Sequence, residues 1–180
     1  MPVFSSDVMS NYDMILVHDK YSRNEAENAQ QNLMKCQGQL GMKTGGFYVL
    51  PLPDCRNNFN EVAKCLDKFL DDFKKNGSKK QMFAVMILER RNDYPKIKGI
   101  FTRKNIMSQV ILKQTARKIN LSVASNIMKQ INSKLGGDSV RMKFPEFMSK
   151  ERVMVIGIDV CHAGKKSVVG FCASTNKSCT

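Results

Sequence analysis

No stretch of this chain is long and apolar enough to span a bilayer. The longest apolar run is Met82 to Leu88, a third of the length a transmembrane helix needs. Met1 to Ser10 lacks the basic and apolar regions of a signal peptide, so an intracellular protein, cytoplasmic or nuclear, is expected. Histidine is scarce: only His18 and His162 are present, and no nucleophile, base and orienting group recur together as covalent catalysis requires. No Gly-x-Gly-x-x-Gly follows a predicted strand, and Lys43-Thr-Gly-Gly46 is too short and misplaced, which disfavours a dinucleotide-binding enzyme. The six cysteines, Cys36, Cys55, Cys65, Cys161, Cys172 and Cys179, include no Cys-x-x-Cys pair. They are expected to be reduced thiols, and the spacing of Cys161-His162 with Cys172 and Cys179 matches no zinc finger. After Asp159 the sequence contains no aspartate or glutamate. Metal-assisted hydrolysis needs several clustered carboxylates, so the segment after Asp159 is not expected to hold such a site by itself.

What is present is a globular chain of 180 residues, 42% of them apolar, with formal net charge +13. That length suits one domain with a proper core plus a short extra piece. The charge is uneven: residues 1 to 88 carry 11 basic and 10 acidic residues, whereas residues 89 to 150 carry 14 and 4. Such a field attracts a polyanion and favours nucleic acid as partner, although a solubilising lysine-rich surface would give the same excess. A protein-interaction module presenting the polar face of the helix at 58–76 is a rival reading, and it leaves the basic segment unexplained.

Apolar patterning alternates between strand and helix. Met14 to His18 reads as a buried strand, Ser22 to Gly41 as a helix capped by Ser22 or Asn24, and Phe47 to Leu52 as a second strand closed by Pro51 and Pro53. Asn58 to Asn76 places Phe59, Val62, Cys65, Leu66, Phe69, Leu70 and Phe73 on one helical face. Met82 to Leu88, apolar on both faces, reads as a central strand of a parallel sheet. Tyr94 and Pro95 open a further helix, Ser108 to Leu112 is a strand, Lys113 to Asn120 a basic connector, and Ser122 to Leu135 a helix ended by Gly136-Gly137. Val153 to Ile158 and Ser167 to Ala173 are predicted as strands joined by a loop containing Gly164 to Lys166. The alternation implies βαβ units and a doubly wound α/β fold, with ligands beyond the carboxyl ends of the strands.

Two pairs within the basic segment, Tyr94/Lys98 and Gln130/Lys134, are spaced four apart and project from one helical face each. Ammonium groups and amide donors surround phosphates, and a tyrosine ring is a stacking platform for a base.

Read together, Tyr94-Pro-Lys-Ile-Lys98, Met107-Ser-Gln109 and Gln130-Ile-Asn-Ser-Lys134-Leu-Gly-Gly137 resemble the MID domain of the Argonaute family. Val155-Ile-Gly-Ile-Asp159-Val-Cys-His162 and Ser167-Val-Val-Gly-Phe-Cys-Ala-Ser174 are similar to the start of a Piwi-type PIWI domain. The resemblance is strong from Tyr94 onward and lies only in pattern before it. It implies a Rossmann-like parallel sheet flanked by helices over residues 1–149, followed by the first β-hairpin of an RNase H-like PIWI domain over 150–180. It implies that Tyr94, Lys98, Gln109 and Lys134 anchor the 5′-phosphate of a single-stranded guide RNA, and that Arg90, Asn92 and Asp93 occupy the loop that reads its first base, with a 5′-uridine preference. Gln130, where the Argonaute clade proper has lysine, points to the Piwi clade and to Piwi-interacting RNAs. By the same resemblance Gln130 helps hold a divalent cation, Mg2+, completed by a carboxylate from the end of the PIWI domain, which this chain does not contain. Asp159 matches the first acidic residue of the family's RNase H-like site. The alternative is thus a fragment of a guide-directed RNA endonuclease whose remaining catalytic residues, and whose target-RNA contacts, lie beyond Thr180.

Overall fold

The computed structural model describes residues 7–53, 58–76, 80–139, 145–146 and 153–175. Cys55 and Cys179 lie outside them. The chain forms two compact units, Met1–Ser139 and Val140–Thr180.

In the first unit, four parallel strands lie in the order β2-β1-β3-β4: β1 is Tyr12–Asp19, β2 Phe47–Leu52, β3 Gln81–Leu88 and β4 Met107–Leu112. Helices α1 (Arg23–Gln39), α2 (Phe59–Lys75) and α3 (Tyr94–Arg103) connect them, and α4 (Lys113–Arg117) and α5 (Leu121–Lys134) follow β4. Because successive strand residues face opposite sides, the two central strands feed two cores. Met14, Leu16, Phe83, Val85 and Ile87 pack with α1, α4 and α5 on one face, while Ile15, Val17, Ala84, Met86 and Leu88 pack with α2 and α3 on the other. Apart from Ala84, each such side chain contributes about 1.5–3 kcal/mol of burial free energy, so β1 and β3 are firmly held. Edge position explains why β2 tolerates Pro51, which has no N–H to give to a further strand. Gly45 and Gly46 lead into β2 by wrapping the buried Asp13, whose carboxylate accepts the Gly46 N–H at 2.5 Å; a Cβ at Gly45 would lie 2.0 Å from that carboxylate.

Helix ends follow local chemistry. Asn58 caps α2, its Oδ1 accepting the Glu61 N–H at 3.2 Å, while its side-chain Nδ2 donates to the Glu61 carboxylate at 2.7 Å and holds the cap in place. Ser22 holds the cap position of α1 without a side-chain cap bond; the turn is instead organised by Asp19, which accepts from the N–H groups of Tyr21 and Ser22.

Two expectations need correction. The basic connector predicted over Lys113 to Asn120 is helical as α4 over its first five residues. Its Ala116 is fully buried and its carbonyl accepts from Asn28 of α1 at 3.1 Å, so tertiary anchoring holds a turn whose polar residues read as loop. In the second unit the strand expected over Val153 to Ile158 is β5, Ile156–Ala163, pairing antiparallel with β6, Lys166–Ala173. Ala163 pairs with Lys166, leaving a two-residue turn in which Gly164 takes φ +64°, as tight hairpins require. Asp159 therefore lies inside a strand, opposite Gly170. No helix among the described residues is long and apolar enough to cross a membrane.

Candidate nucleic-acid interface

The site is built around β4, which among the described residues has a sheet neighbour on one side only. Its carbonyl at Ser108 has no strand to pair with at that edge and accepts two lysines instead. Lys98 Nζ, from α3 on one face of the sheet, donates to the Ser108 carbonyl at 3.1 Å and to its Oγ at 2.8 Å. Lys134 Nζ, from the end of α5 on the opposite face, donates to the same carbonyl at 3.1 Å and to Gln109 Oε1 at 2.6 Å. Gln109 passes the contact on, its Nε2 donating to Gln130 Oε1 at 3.1 Å. Four residues spread over 37 positions of sequence, Lys98, Gln109, Gln130 and Lys134, are thereby joined in one hydrogen-bonded group.

Two ammonium groups held to one carbonyl oxygen repel each other, and both are partly withdrawn from water. Burial lowers the Lys98 pKa from its ordinary value. Burial, and then the Lys98 charge, lowers that of Lys134. A negative charge placed between the two ammonium groups would offset their mutual repulsion.

The end of α5 fixes where Lys134 points. Gly136 takes φ +87°, its N–H bonds the Ser133 carbonyl, and the Gly137 N–H bonds the Asn132 carbonyl at 2.9 Å. This is the paired closure of a Schellman motif, and the left-handed position needs glycine. A Cβ at Gly137 would lie 2.1 Å from Asn132 Oδ1. The Lys-Leu-Gly-Gly run thus has a structural reason beyond its motif value.

Two clefts lie along β4. One, of about 330 Å³, is lined by Lys98, Thr102, Asn105, Met107, Ser108 and Lys134, among others. The second, of about 710 Å³, is lined by Arg91, Asn92, Tyr94, Pro95, Val110 and Leu112. Ser108, Val110 and Leu112 alternate onto the same face of β4, and Tyr94 and Lys98 are separated by one turn of α3, about 6 Å of rise. The clefts therefore run in line between β4 and α3. Tyr94, at 45% exposure, offers its ring to the second.

Of the expected site residues, Lys98, Gln109, Gln130 and Lys134 come together, and Tyr94 stands in the adjoining cleft with Asn92. Arg90 and Asp93 pair with each other at 3.3 Å across the turn Arg91–Asp93, and neither is among the residues lining that cleft. Sequence reasoning missed Arg91, which does line it, and Ser108, the acceptor on which both lysines converge. Alternation along the strand, placing Ser108 on the side of Lys98, was the available signal. Asp159 belongs to the second unit, exposed on β5. Among the described residues no three His, Cys, Asp or Glu side chains are grouped to hold a metal ion.

Residues 81–180 match the Piwi domain family. Among curated relatives, Piwi-like protein 1 of Gallus gallus is 25% identical over 187 residues, covering 99% of this chain and 20% of its own length. Protein argonaute-3 of Drosophila melanogaster is 30% identical over 173 residues, with 91% and 18% covered. The chain thus spans about a fifth of the length of the curated relatives it matches. Among solved structures, Drosophila Piwi superposes with a TM-score of 0.74 at 16% identity, covering 97% of this chain and 24% of that one. Kluyveromyces polysporus Argonaute with a guide RNA gives 0.70 at 15% identity, with 99% and 23% covered. At those identities the two structures speak to the fold.

Proposed function

Because the chain belongs to the Piwi domain family of the Argonaute/Piwi proteins, we propose that it anchors the 5′-monophosphate and first nucleotide of a small guide RNA, of the Piwi-interacting class. The observation that carries this reading is the convergence of Lys98 and Lys134, from opposite faces of the sheet, on one edge carbonyl. Their ammonium groups already sit where a dianionic phosphate gains most, and such charge-assisted contacts are about twice as strong as neutral ones. Tyr94 stacks beneath the first base in the adjoining cleft, and Arg91 and Asn92 border that base. Gln109 holds Lys134 and Gln130 in place. The function read here is recognition; Asp159 would be one carboxylate of a site that needs several, with the rest of a PIWI domain and the contacts to target RNA as its partners.

Amine footprinting tests the assignment. Lowered pKa values give Lys98 and Lys134 more free amine than ordinary surface lysines, so both should acylate early. A 5′-phosphorylated RNA should protect them and leave Lys118 reactive, while the 5′-hydroxyl RNA should protect far less. Equal protection by the two RNAs would remove the phosphate from this site.

A further inference from the structure

The family resemblance implies a divalent cation held through Gln130, and the hydrogen bonds of this site speak against it. A lysine ammonium has only hydrogens to offer. Lys134 therefore turns the oxygen of the Gln109 amide toward itself, at 2.6 Å. The opposite end of that amide is its NH2, which needs an acceptor and finds Gln130 Oε1 at 3.1 Å. The direction of the relay is thus set by the one member that cannot reverse. Gln130 has its oxygen turned inward and its own NH2 left to face outward.

Ser108 follows the same logic. Its Oγ accepts from Lys98 at 2.8 Å, which leaves the hydroxyl hydrogen to give. The outward chemistry of the group is therefore two ammoniums and an amide NH2. Mg2+ demands oxygen ligands in octahedral array, and two neighbouring positive charges repel it. A phosphate dianion demands N–H donors and positive charge, and these are what the group holds.

We infer that this site takes the 5′-phosphate on protein donors alone, without a divalent cation, and that Gln130 meets the phosphate through its amide N–H and not its oxygen. The inference rests on the guide-anchor reading and makes that reading's ligand set specific. Lys134, Gln109 and Gln130 form one relay in which each positions the next.

The test uses the 180-residue chain and a short RNA beginning with uridine, carrying a 5′-phosphate or a 5′-hydroxyl. The ratio of the two dissociation constants is measured with Mg2+ and again with EDTA. The expected result is a phosphate preference of about tenfold or more that is the same, within about twofold, in both conditions. Gln130→Glu puts a carboxylate where the NH2 was: its preference should fall about tenfold in EDTA and recover in part with Mg2+. Electron paramagnetic resonance with Mn2+ should find no ion bound in the wild-type complex and one bound in the Gln130→Glu complex. A wild-type preference present with Mg2+ and lost in EDTA overturns the inference while leaving the guide anchor standing. A Gln130→Glu protein indistinguishable from wild type in both conditions also overturns it. No phosphate preference in either condition ends the guide-anchor reading, and this inference with it.

Discussion

Replacing Lys134 by methionine keeps the length of the side chain and removes its charge, and the structure gives opposite signs for its effects on folding and binding. In the free protein Lys134 repels Lys98, the two sharing one carbonyl at 3.1 Å each. Two nitrogens so placed are at most about 6 Å apart, and at an effective dielectric constant near 20 that repulsion is at least of order 3 kcal/mol before screening by water and salt. Ser108 keeps its bond from Lys98, so only Gln109 Oε1 loses a partner, and near the surface that loss is worth about 1 kcal/mol. Stability in urea should therefore change by less than about 1 kcal/mol and toward greater stability. Binding moves the other way. Losing one charge-assisted donor from a partly desolvated site costs about 3 kcal/mol, a factor on the order of 100 for 5′-phosphorylated RNA. The 5′-hydroxyl RNA loses only part of a diffuse attraction, about fivefold. Both constants are read by fluorescence anisotropy at fixed salt. A variant that weakens the two RNAs equally, or that unfolds more easily by about 2 kcal/mol or more, would make Lys134 a structural lysine and refute the reasoning.

Other outcomes follow from the same geometry. Gly137→Ala drives a Cβ to 2.1 Å from Asn132 Oδ1 and should cost about 2 kcal/mol in urea unfolding, with a loss of phosphate preference as the end of α5 shifts. Phosphate preference should be bell-shaped in pH: it rises through about pH 6 as the phosphate becomes a dianion, and it falls on the alkaline side earlier than for ordinary lysines, because Lys98 and Lys134 are lowered. The sign for folding is the reverse, since the unfolded chain binds more protons between the lowered values and the ordinary one, so stability of the free protein rises with pH across that window; urea titrations at several pH values read this directly. Cys36 is buried, its Sγ donates to the Leu121 carbonyl at 3.2 Å, and burial raises its pKa; mass spectrometry after brief alkylation should find Cys161 and Cys172, both exposed, modified long before it.

The parts of this protein that were legible in its sequence are those set by local chemistry. Phe83 to Leu88, apolar at every position, reads as a central strand and is one; Asn58 and Asn76 bracket a helix because a cap and a stop are local devices. Spacing four apart also brought out Tyr94 with Lys98 and Gln130 with Lys134. Tertiary effects were not legible. Lys113 to Arg117 is polar and helical because Ala116 is clamped under α1. Asp159, Cys161 and His162 look like loop residues, yet a two-residue turn at Gly164 extends β5 through them. Ser108 is an ordinary strand serine until the open edge of β4 gives its carbonyl to two lysines. The direction of the Gln109–Gln130 bond depends on Lys134, which stands 25 residues from Gln109, and no pattern in the sequence encodes it.

The central claim is that the Lys98–Lys134 group reads a terminal phosphate. Calorimetric titration of the whole chain with a uridine-starting RNA, 5′-phosphorylated or 5′-hydroxyl, tests it most directly when Lys98→Ala and Tyr94→Ala proteins are run alongside. The account predicts a phosphate gain of about tenfold or more, roughly 1.4 kcal/mol, that Lys98→Ala abolishes and that Tyr94→Ala diminishes through the lost stacking of the first base. Equal affinity for the two RNAs, with both falling steeply as salt rises, would contradict it and leave only a basic surface that any polyanion can use.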